Sequence, residues 1–589
     1  MTKIRWVAAL LVFAATGASA VEAIDPADVV PGSSGVCITE MDGGERVEIP
    51  LTVIGSVGPW TPEGEMVLVR LDDARLRETG IIAGMSGSPV YVDGRLLGAL
   101  AFGWPFAKEP IGGVTPFVRM EGLSEPTHSA AATGSSDRPP MTTLLAAARG
   151  AELGATLTSW LLPEDGTAAG GLAIPVVMSS GWRPAGSGWL GTGFERLGWV
   201  SVPGGGADSV DAGPLQPGAM VAGVLIDGDA VVAAGGTVTE VRDDQVWAFG
   251  HPFLGGGDFA LPMARARVVS VLPSQASSFK FFSVGPVIGS FFSDRSRGIW
   301  GRLGHPTPMV PVSVAVDDRQ YDFRAVRHPT LTPFLVAYVV QASQAARGRL
   351  FGDQTLDVEI ELRYSGYDPV VYRETIASGE APAQAAALAA ALTGYFENSS
   401  FDPPPLDAVA VELRTAERLR TAELIDVIAD RRIVHPGDDL PLRLRLRPHR
   451  GAEFSREVTI RVPPGLPDGR LDLVVADGAS WTLYDLGMRP DIPGSFGDEV
   501  ELVNSLLPSS SLVVALERRQ LGVALNGGTV ELPPSVAYQL KAGLGPALTT
   551  TSYAVVERRV EQLDMALGGA ERIELEVRSE EPLIRPEAP

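Results

Sequence analysis

Cysteine is almost absent from this sequence, since Cys37 is the only one in 589 residues. A single cysteine cannot form a disulfide within the chain, so no disulfide framework stabilises this protein, even in an oxidising compartment. The neighbouring apolar residues Val36 and Ile38 predict a strand. We therefore expect Cys37 to be a small side chain of the protein core rather than a reactive thiol.

Basic residues and long apolar runs are also scarce. Lysine and arginine together number 48 against 71 aspartates and glutamates, which gives a net charge of −23. Nucleic acid and anionic membranes repel an acidic surface, so neither is expected as a partner. After residue 20 no stretch of apolar residues is long enough to cross a bilayer, so we expect no transmembrane segment in the mature chain.

Motifs for metals and phosphates are missing as well. His, Cys, Asp and Glu do not cluster at the spacing of metal ligands. The glycines at 255–257 lack the lysine and the following helix that a phosphate-binding loop requires. We predict neither a metal nor a cofactor.

Residues 1–20 are typical of a secretory signal peptide. Lys3 and Arg5 form the positive region, residues 7–15 are apolar, and Ala18-Ser19-Ala20 offers a small-residue cleavage site. We therefore expect the mature protein to be exported to the periplasm or the extracellular medium.

Glycine and proline are abundant, at 67 and 47 residues, and favour short strands and turns over long helices. Asp93-Gly94 predicts a two-residue hairpin turn. Only two helices of length are predicted, over 333–346 with Thr332 as N-cap and over 381–396. The predicted organisation is a signal peptide (1–20), a β-barrel unit (21–123), a linker (124–149), a second β-rich unit (150–365), a helical connector (366–404) and a C-terminal β-sandwich (405–589). Strict alternation over 442–446 favours an immunoglobulin-like sandwich there.

The stretch Gly84-Met85-Ser86-Gly87-Ser88-Pro89 is the strongest candidate for chemistry. A serine between glycines, closed by a proline, predicts a tight turn whose backbone N–H groups can point at one place. A serine peptidase needs that geometry for its hydroxyl and for the developing oxyanion. The alternative is an ordinary hairpin turn.

A serine nucleophile needs a base, and the chain has six histidines. His251 stands apart because it follows an apolar strand directly, in Gly250-His251-Pro252-Phe253; the alternative is a structural histidine in a turn. A carboxylate is also needed to orient the imidazole. Asp72, Asp73 and Asp258 are near in sequence to these two residues, and spacing alone does not choose among them.

Residues 67–103 resemble the serine module of the SpoIVB serine peptidase family. The likeness covers the approach, an acidic residue followed by Arg-Leu and then Glu-Thr-Gly, and the Gly-Met-Ser-Gly-Ser-Pro core. Residues 247–251 resemble the histidine module of that family, as do 286–289 followed by 298–301. Residues 124–210 and 370–589 lie outside the resemblance.

The resemblance implies a role for each matched residue. Ser86 would be the nucleophile, His251 the general base and Asp72 the third catalytic residue, with Asp73 in its place if the alignment gap lies elsewhere. The backbone N–H groups of Gly84 and Ser86 would form the oxyanion hole. Ser88 would be a turn residue.

Two departures from the family pattern matter. The founding member carries its histidine module before its serine module, whereas here Ser86 precedes His251. Catalytic residues occur in several chain orders, so a permuted enzyme is acceptable physically. The founding member also has a PDZ domain, for which this sequence has no convincing equivalent.

We therefore expect a mainly β protein with few helices. Its fold would be a trypsin-like double β-barrel in permuted order, followed by the immunoglobulin-like sandwich. Its function would be that of an exported serine endopeptidase that cleaves a protein or peptide substrate through an acyl-enzyme. Self-processing and the oligomeric state are left open. The alternative is a catalytically inactive envelope scaffold that keeps the peptidase fold to bind a partner.

Overall fold

The computed structural model describes residues 21–579 with some gaps. The gaps are 62–63, 105, 125–137, 150–151, 163–171, 180–187, 207–209, 211–212, 276, 489–492, 526–527, 532, 534, 537–538 and 540–548. The predicted signal peptide and much of the predicted linker lie outside the described residues.

A closed barrel of six antiparallel strands forms the first unit. Its elements are β1 (Ser34–Glu40), β2 (Arg46–Thr61), β3 (Gly64–Leu71), α1 (Ala74–Thr79), β4 (Pro89–Val92), β5 (Arg95–Gly103), β6 (Ile111–Pro116) and α2 (Phe117–Met120). The strands pair in the order β1-β2-β3-β6-β5-β4, and β4 returns to β1. Alternate apolar side chains of β2, β3 and β4 fill the interior, together with Cys37, Leu97, Leu100 and Val114 of the other three strands. This confirms a β-barrel in the first unit.

Two predictions for this barrel are confirmed. Cys37 is fully buried in the core, and burial raises the pKa of its thiol to about 12. Asp93 and Gly94 join β4 to β5 in a two-residue turn, with Val92 paired to Arg95. Both turn residues have positive φ, at 50° and 75°, as this kind of hairpin requires.

The second unit is built on one large sheet with helices packed against it. Its elements are α3 (Met141–Arg149), α4 (Leu153–Leu161), β7 (Ile174–Met178), α5 (Trp189–Arg196), β8 (Trp199–Pro203), β9 (Gly205–Gly206), β10 (Met220–Gly228), β11 (Val232–Arg242), β12 (Gln245–Ala248), β13 (Gly257–Leu272), β14 (Phe279–Arg295), β15 (Gly298–Leu303), β16 (Val310–Val316), β17 (Arg319–Ala325), α6 (Leu331–Arg347), β18 (Gln354–Tyr364), β19 (Val370–Ser378), α7 (Ala381–Glu397) and β20 (Leu406–Ala416). The described end of the predicted linker is therefore a helix, α3.

Six strands of this sheet pair in a closed circuit. Strand β10 pairs with both β11 and β13, and β12 pairs with β15. With the pairs β11–β12, β13–β14 and β14–β15, the circuit runs β10-β11-β12-β15-β14-β13, all antiparallel. When the six strands of the circuit are numbered by themselves along the chain, their order is the same as in the first barrel. The circuit is not isolated, since β17, β16, β20, β18 and β19 continue the sheet from β10, and β7 and β8 continue it from β11.

The boundary of the second unit lies later than the sequence predicts. Residues 366–404, the predicted helical connector, contain strand β19 before helix α7 begins. Val370, Val371 and Tyr372 favour extended backbone, and the strand pairs along its length with β18. Strand β20, predicted to open the C-terminal sandwich, pairs instead with β16 and β18, because Val409 and Val411 bury one face in the core of this sheet.

The two predicted helices are confirmed as α6 and α7. The N-cap of α6 is Thr330 rather than Thr332. Thr332 lies inside the first turn, where its hydroxyl donates to the carbonyl oxygen of Val326 and accepts from the N–H of His328. No helix in the described part of the chain is long and apolar enough to cross a membrane.

Two further sheets form the C-terminal unit. Their elements are β21 (Thr421–Ala429), β22 (Ile433–Val434), β23 (Asp439–Pro448), β24 (Phe454–Arg461), β25 (Gly469–Asp477), α8 (Gly478–Met488), α9 (Phe496–Asn504), β26 (Ser511–Leu525), β27 (Gly528–Glu531), β28 (Thr549–Gln562), β29 (Ala566–Gly568) and β30 (Ala570–Val577). One sheet is ordered β24-β23-β21-β29; the other is ordered β22-β30-β25-β26-β27, with β28 beside β26. Leu442, Leu444 and Leu446 of β23 are buried in the core that both sheets share, as their alternation predicts.

Candidate functional site

The serine turn, residues 84–89, connects the third strand of the first barrel, by way of α1, to the fourth. The N–H of Met85 donates to the carbonyl oxygen of Ile82 (3.0 Å), and the N–H of Ser88 donates to that of Met85 (2.9 Å). These are two consecutive tight turns. Gly84 and Gly87 have φ of 97° and 94°, a region that glycine reaches without strain. The predicted turn around Ser86 is therefore present.

Strand β11 of the second unit donates hydrogen bonds to three carbonyl oxygens of the serine turn. The N–H of Thr237 donates to the carbonyl oxygen of Ser86 (2.7 Å), and the Thr237 hydroxyl donates to that of Gly84 (2.8 Å). The Thr239 hydroxyl donates to the carbonyl oxygen of Gly87 (2.8 Å). A Cβ on Gly87 would lie 1.9 Å from the carbonyl oxygen of Thr237, so only glycine allows this approach. The two units are joined at the serine turn itself.

His251 lies in the corresponding connection of the six-strand circuit, between its third strand along the chain, β12, and its fourth, β13. The chain enters this loop through Phe249 and Gly250, both left-handed with φ of 66° and 70°. For phenylalanine that conformation is strained by roughly 1–3 kcal/mol. The carbonyl oxygen of Gly250 accepts from the Thr115 hydroxyl (2.7 Å), and a Cβ on Gly250 would lie 2.6 Å from that of Ala99. The histidine loop therefore packs directly on β5 and β6 of the first barrel.

Thr237 links the two loops. Its N–H binds the carbonyl oxygen of Ser86, and its own carbonyl oxygen accepts from the N–H of Phe249 (3.3 Å). A Cβ on Gly87 would also lie 2.5 Å from the nitrogen of Phe249. The structure thus brings the serine turn and the segment just before His251 into contact.

The environment of His251 determines which ring nitrogen can act as a base. The side chain is buried, and its Nδ1 lies 2.8 Å from the carbonyl oxygen of Pro252. Because a carbonyl oxygen only accepts, Nδ1 carries the proton and Nε2 presents a lone pair. Burial lowers the pKa of His251 to about 4, and the Pro252 carbonyl opposes that shift. The imidazole is therefore neutral at pH 7, as a general base must be.

Ser86 Oγ and His251 Nε2 are both buried and have no hydrogen-bond partner among the described residues. The two atoms are therefore not hydrogen-bonded to each other in this conformation. Leaving a buried polar atom unpaired costs about 1–3 kcal/mol, so two in adjoining loops need an explanation. Ser86 is also 0% exposed, which contradicts the accessible hydroxyl that the sequence predicts. The reason is that the second unit packs over the serine turn.

The backbone N–H groups of Gly84 and Ser86 differ from their neighbours in having no acceptor among the described residues. Within the described part of the chain neither donates a hydrogen bond, whereas the N–H groups of Met85, Gly87 and Ser88 all do. Two unpaired donors on either side of one residue are what an oxyanion hole requires. Ser88 is a turn residue, as expected, because its hydroxyl donates to the carbonyl oxygen of Met85 (2.6 Å).

The predicted third residue is not brought to the histidine. Asp72 is half exposed and lies 3.3 Å from Arg77. Asp73 caps α1 by accepting from the N–H of Arg75, whose guanidinium holds the pKa of Asp73 below its usual value. Neither carboxylate bonds to His251, whose Nδ1 is occupied by the Pro252 carbonyl. Asp73 caps helix α1 and Asp72 pairs with Arg77 of that helix, so neither carboxylate contacts the histidine through a hydrogen bond in this conformation. The assignment of Asp72, with Asp73 as its substitute, stays a prediction. Asp258 pairs with Arg295 (2.6 Å).

Asp294, at the end of β14, is a residue that the sequence analysis missed. Its buried carboxylate accepts from the N–H groups of Phe253, Leu254 and Gly255, at 2.7, 2.6 and 2.8 Å. Burial raises the pKa of Asp294 to about 6, and these N–H groups oppose the shift. Asp294 therefore fixes the loop that directly follows His251. The only sign of this role in the sequence is that an aspartate ends a long apolar stretch.

A cleft of about 370 Å³ opens beside His251. Polar and apolar groups share its walls in similar proportion, and Ser86 is not among the residues that line it. The apolar lining includes Ile81, Ala83, Leu172, Ile174, Leu197 and Phe253. The cleft can accept an extended segment with an apolar side chain, but the serine hydroxyl must move to reach it.

A larger cavity, of about 770 Å³, lies away from this site. It is lined by parts of α3, α4, α7, β19 and α8. Both of its buried carboxylates are already hydrogen-bonded: Glu374 accepts from the hydroxyl and N–H of Ser509 and from the hydroxyl of Tyr372, and Asp477 accepts from the hydroxyl and N–H of Ser480. We therefore place the candidate site at the smaller cleft, where unpaired groups remain. Among the residues described, no group of three or more His, Cys, Asp or Glu could hold a metal ion.

No family model matches this chain, and neither a curated protein nor a solved structure matches it.

Proposed function

We propose that this protein is a serine endopeptidase of the SpoIVB type, with a permuted trypsin-like double β-barrel. One observation carries the proposal: Ser86 Oγ and His251 Nε2 are both buried and unpartnered, in two loops that Thr237 joins. The common strand order of the barrel and the circuit supports it, because one loop connects the third and fourth strands of the barrel and the other connects the third and fourth strands of the circuit.

In the proposed reaction His251 Nε2 takes the proton of Ser86 Oγ as the oxygen attacks a peptide carbonyl carbon. The N–H groups of Gly84 and Ser86 bind the resulting oxyanion. His251 then protonates the leaving amine, and water hydrolyses the acyl-enzyme with His251 again acting as base. The Pro252 carbonyl, rather than a carboxylate, keeps Nδ1 protonated throughout. A carbonyl stabilises the imidazolium less than a carboxylate does, so we expect slow turnover.

Catalysis by this site requires an opening step. Ser86 is fully buried, and the cleft reaches His251 but not the serine. A shift of the histidine loop against β5 would expose the hydroxyl and let Nε2 approach it. In many enzymes a loop moves when substrate binds and thereby completes the catalytic site, and we propose an opening step of that kind here.

The proposal is tested by labelling the purified protein with a fluorophosphonate probe. Wild type is expected to label slowly and Ser86→Ala not at all. Ser88→Ala is the matched control, because it removes a hydroxyl from the same turn, and it should still label. Equal labelling of wild type and Ser86→Ala would reject Ser86 as the nucleophile.

The second candidate is a non-catalytic envelope scaffold that keeps this fold to bind a protein partner. It is favoured by the inaccessibility of Ser86 and by the absence of a hydrogen bond from its hydroxyl to any described residue. In this case no variant labels, and no protein or peptide is cleaved in a serine-dependent way. In both candidates the C-terminal unit is a binding or spacer module, proposed as immunoglobulin-like, and the chain is exported.

A further inference from the structure

Lys280 is a buried cation beside the serine turn. It is 0% exposed and is the one charged residue of the aromatic stretch 279–282 at the start of β14. Lysine is rare in this protein: the sequence has four, at positions 3, 108, 280 and 541, against many arginines. A fully buried lysine is costly unless its charge is compensated.

Lys280 contacts one end of the serine turn directly and is linked to the other end through Thr39. The backbone N–H donates to the carbonyl oxygen of Ala83 (3.1 Å). The methylene chain lies against Gly84, where a Cβ would be 3.2 Å from the lysine Cδ. Lys280 Nζ donates to Thr39 Oγ1 (2.8 Å), which is itself hydrogen-bonded to Ser88 Oγ (2.9 Å). The turn that carries Ser86 is therefore enclosed between contacts to a single residue of the second unit.

The groups that act electrostatically on Lys280 lie on β1. They are Glu40, whose carboxylate accepts from the N–H groups of Met220 and Val268, and Cys37, whose thiol is neutral at physiological pH. Burial lowers the pKa of Lys280 to about 8, and Glu40 and Cys37 oppose that shift. At neutral pH the side chain therefore carries a positive charge for most of the time. A purely structural link could be made by an uncharged side chain without that desolvation penalty.

We propose that Lys280 is a positioning residue for the serine turn, which holds Gly84 through its methylene chain and Ser88 through Thr39, and which places a buried positive charge near the turn that would bind the oxyanion. The role in the reaction rests on the proposed function; the role in ordering the turn does not. Positive charge near a developing oxyanion lowers the barrier to its formation.

The first test follows the rate of fluorophosphonate labelling of Ser86 against pH. Wild type should lose rate as the pH rises above about 8, because Lys280 then loses its charge. Lys280→Met should label roughly 10- to 100-fold more slowly at pH 7, less than the loss for an oxyanion donor itself. It should also lack the decline above pH 8. Lys280→Arg should keep part of the labelling rate. Its rate should not decline above pH 8, because arginine stays charged.

Arg414→Met is the matched control, since Arg414 is an exposed cation on β20 that pairs with Glu412, far from the turn in sequence. It should keep the wild-type rate and pH profile. Labelling of Lys280→Met at the wild-type rate, with the wild-type profile, would overturn the proposal.

A second measurement separates this inference from the proposed function. Amide hydrogen exchange of a peptide covering residues 82–89 should accelerate in Lys280→Met and stay unchanged in Arg414→Met. If wild type does not label at all, the peptidase proposal fails, and unchanged exchange would still overturn the positioning role. If Lys280→Met does not fold, Thr39→Val, which removes the hydroxyl that receives Nζ, should give the same faster exchange; no change there would also overturn it.

Discussion

The N–H of Thr237 donates to the carbonyl oxygen of Ser86 at 2.7 Å, and the Thr237 carbonyl oxygen accepts from Phe249, two residues before His251. One residue of β11 therefore ties the candidate nucleophile to the loop of the candidate base. Because this tie is made by backbone atoms, it is independent of side-chain rotamers, and it sets the relative position of the two loops.

Replacing the Thr237 hydroxyl should weaken the junction between the units. In Thr237→Val the carbonyl oxygen of Gly84 loses its donor while buried, which costs about 1–3 kcal/mol of unfolding free energy. The variant should also label more slowly with a fluorophosphonate. Chemical denaturation measures the first effect. Thr459→Val, at an exposed position of β24, should change neither quantity, and an equal loss there would show that the junction is not the cause.

Alanine at Gly87 should be far more damaging than alanine at Gly94. Both glycines have positive φ, so both substitutions introduce backbone strain of roughly 1–3 kcal/mol. A Cβ at Gly87 would also lie 1.9 Å from the Thr237 carbonyl oxygen, whereas nothing lies within 4 Å of a Cβ at Gly94. Thermal unfolding should therefore show a modest shift for Gly94→Ala and loss of the cooperative transition for Gly87→Ala. Similar shifts for both would contradict the close approach of the two units.

Burial of His251 makes stability depend on pH. The folded-state pKa of His251 is about 4, below its ordinary value of 6.5, so between these values the unfolded chain binds a proton that the folded protein does not. Unfolding free energy should therefore fall as the pH drops from 6.5 to 4, by about 3 kcal/mol from this residue. His251→Gln should remove that part of the slope.

Other buried groups contribute in the same pH range, so the comparison between variants is what isolates His251. The pKa of His328 is also lowered to about 4 and adds to the slope, whereas the raised pKa values of Asp294 and Glu397, about 6 and about 7, act against it. These contributions are retained in His251→Gln. Denaturation at several pH values between 4 and 7 measures the difference, and identical slopes for the two proteins would show that His251 is accessible to protons in the folded state.

Asp294 and Asp72 should differ sharply on conversion to asparagine. Asp294→Asn places an amide group against N–H donors of the loop after His251, so labelling should slow roughly 10- to 100-fold as that loop shifts. Asp72→Asn removes only an ion pair with Arg77 on the surface, so labelling should be unchanged and stability should move by less than about 0.5 kcal/mol. A large loss of labelling in Asp72→Asn alone would restore Asp72 as the third catalytic residue.

Much of the local structure could be predicted because its causes are local. Alternation identified β23, the Asp93-Gly94 pair identified a hairpin, and apolar spacing identified α6 and α7. The glycines around Ser86 predicted a turn, and that turn is present. The role of Asp72 stays a prediction, because a resemblance between sequences does not show which side chains a helix start will use.

The sequence by itself determined the mainly β composition, the core position of Cys37 and the two short loops that carry Ser86 and His251, because turns and strand periodicity depend on neighbouring residues. Only the tertiary structure decided that β20 joins the second unit, that Thr237 connects the two loops, and that Lys280 and Asp294, both on β14, lie beside the serine turn and the histidine loop. Those outcomes depend on which strands pair and which charges become buried, and both are set by contacts between residues far apart in the chain.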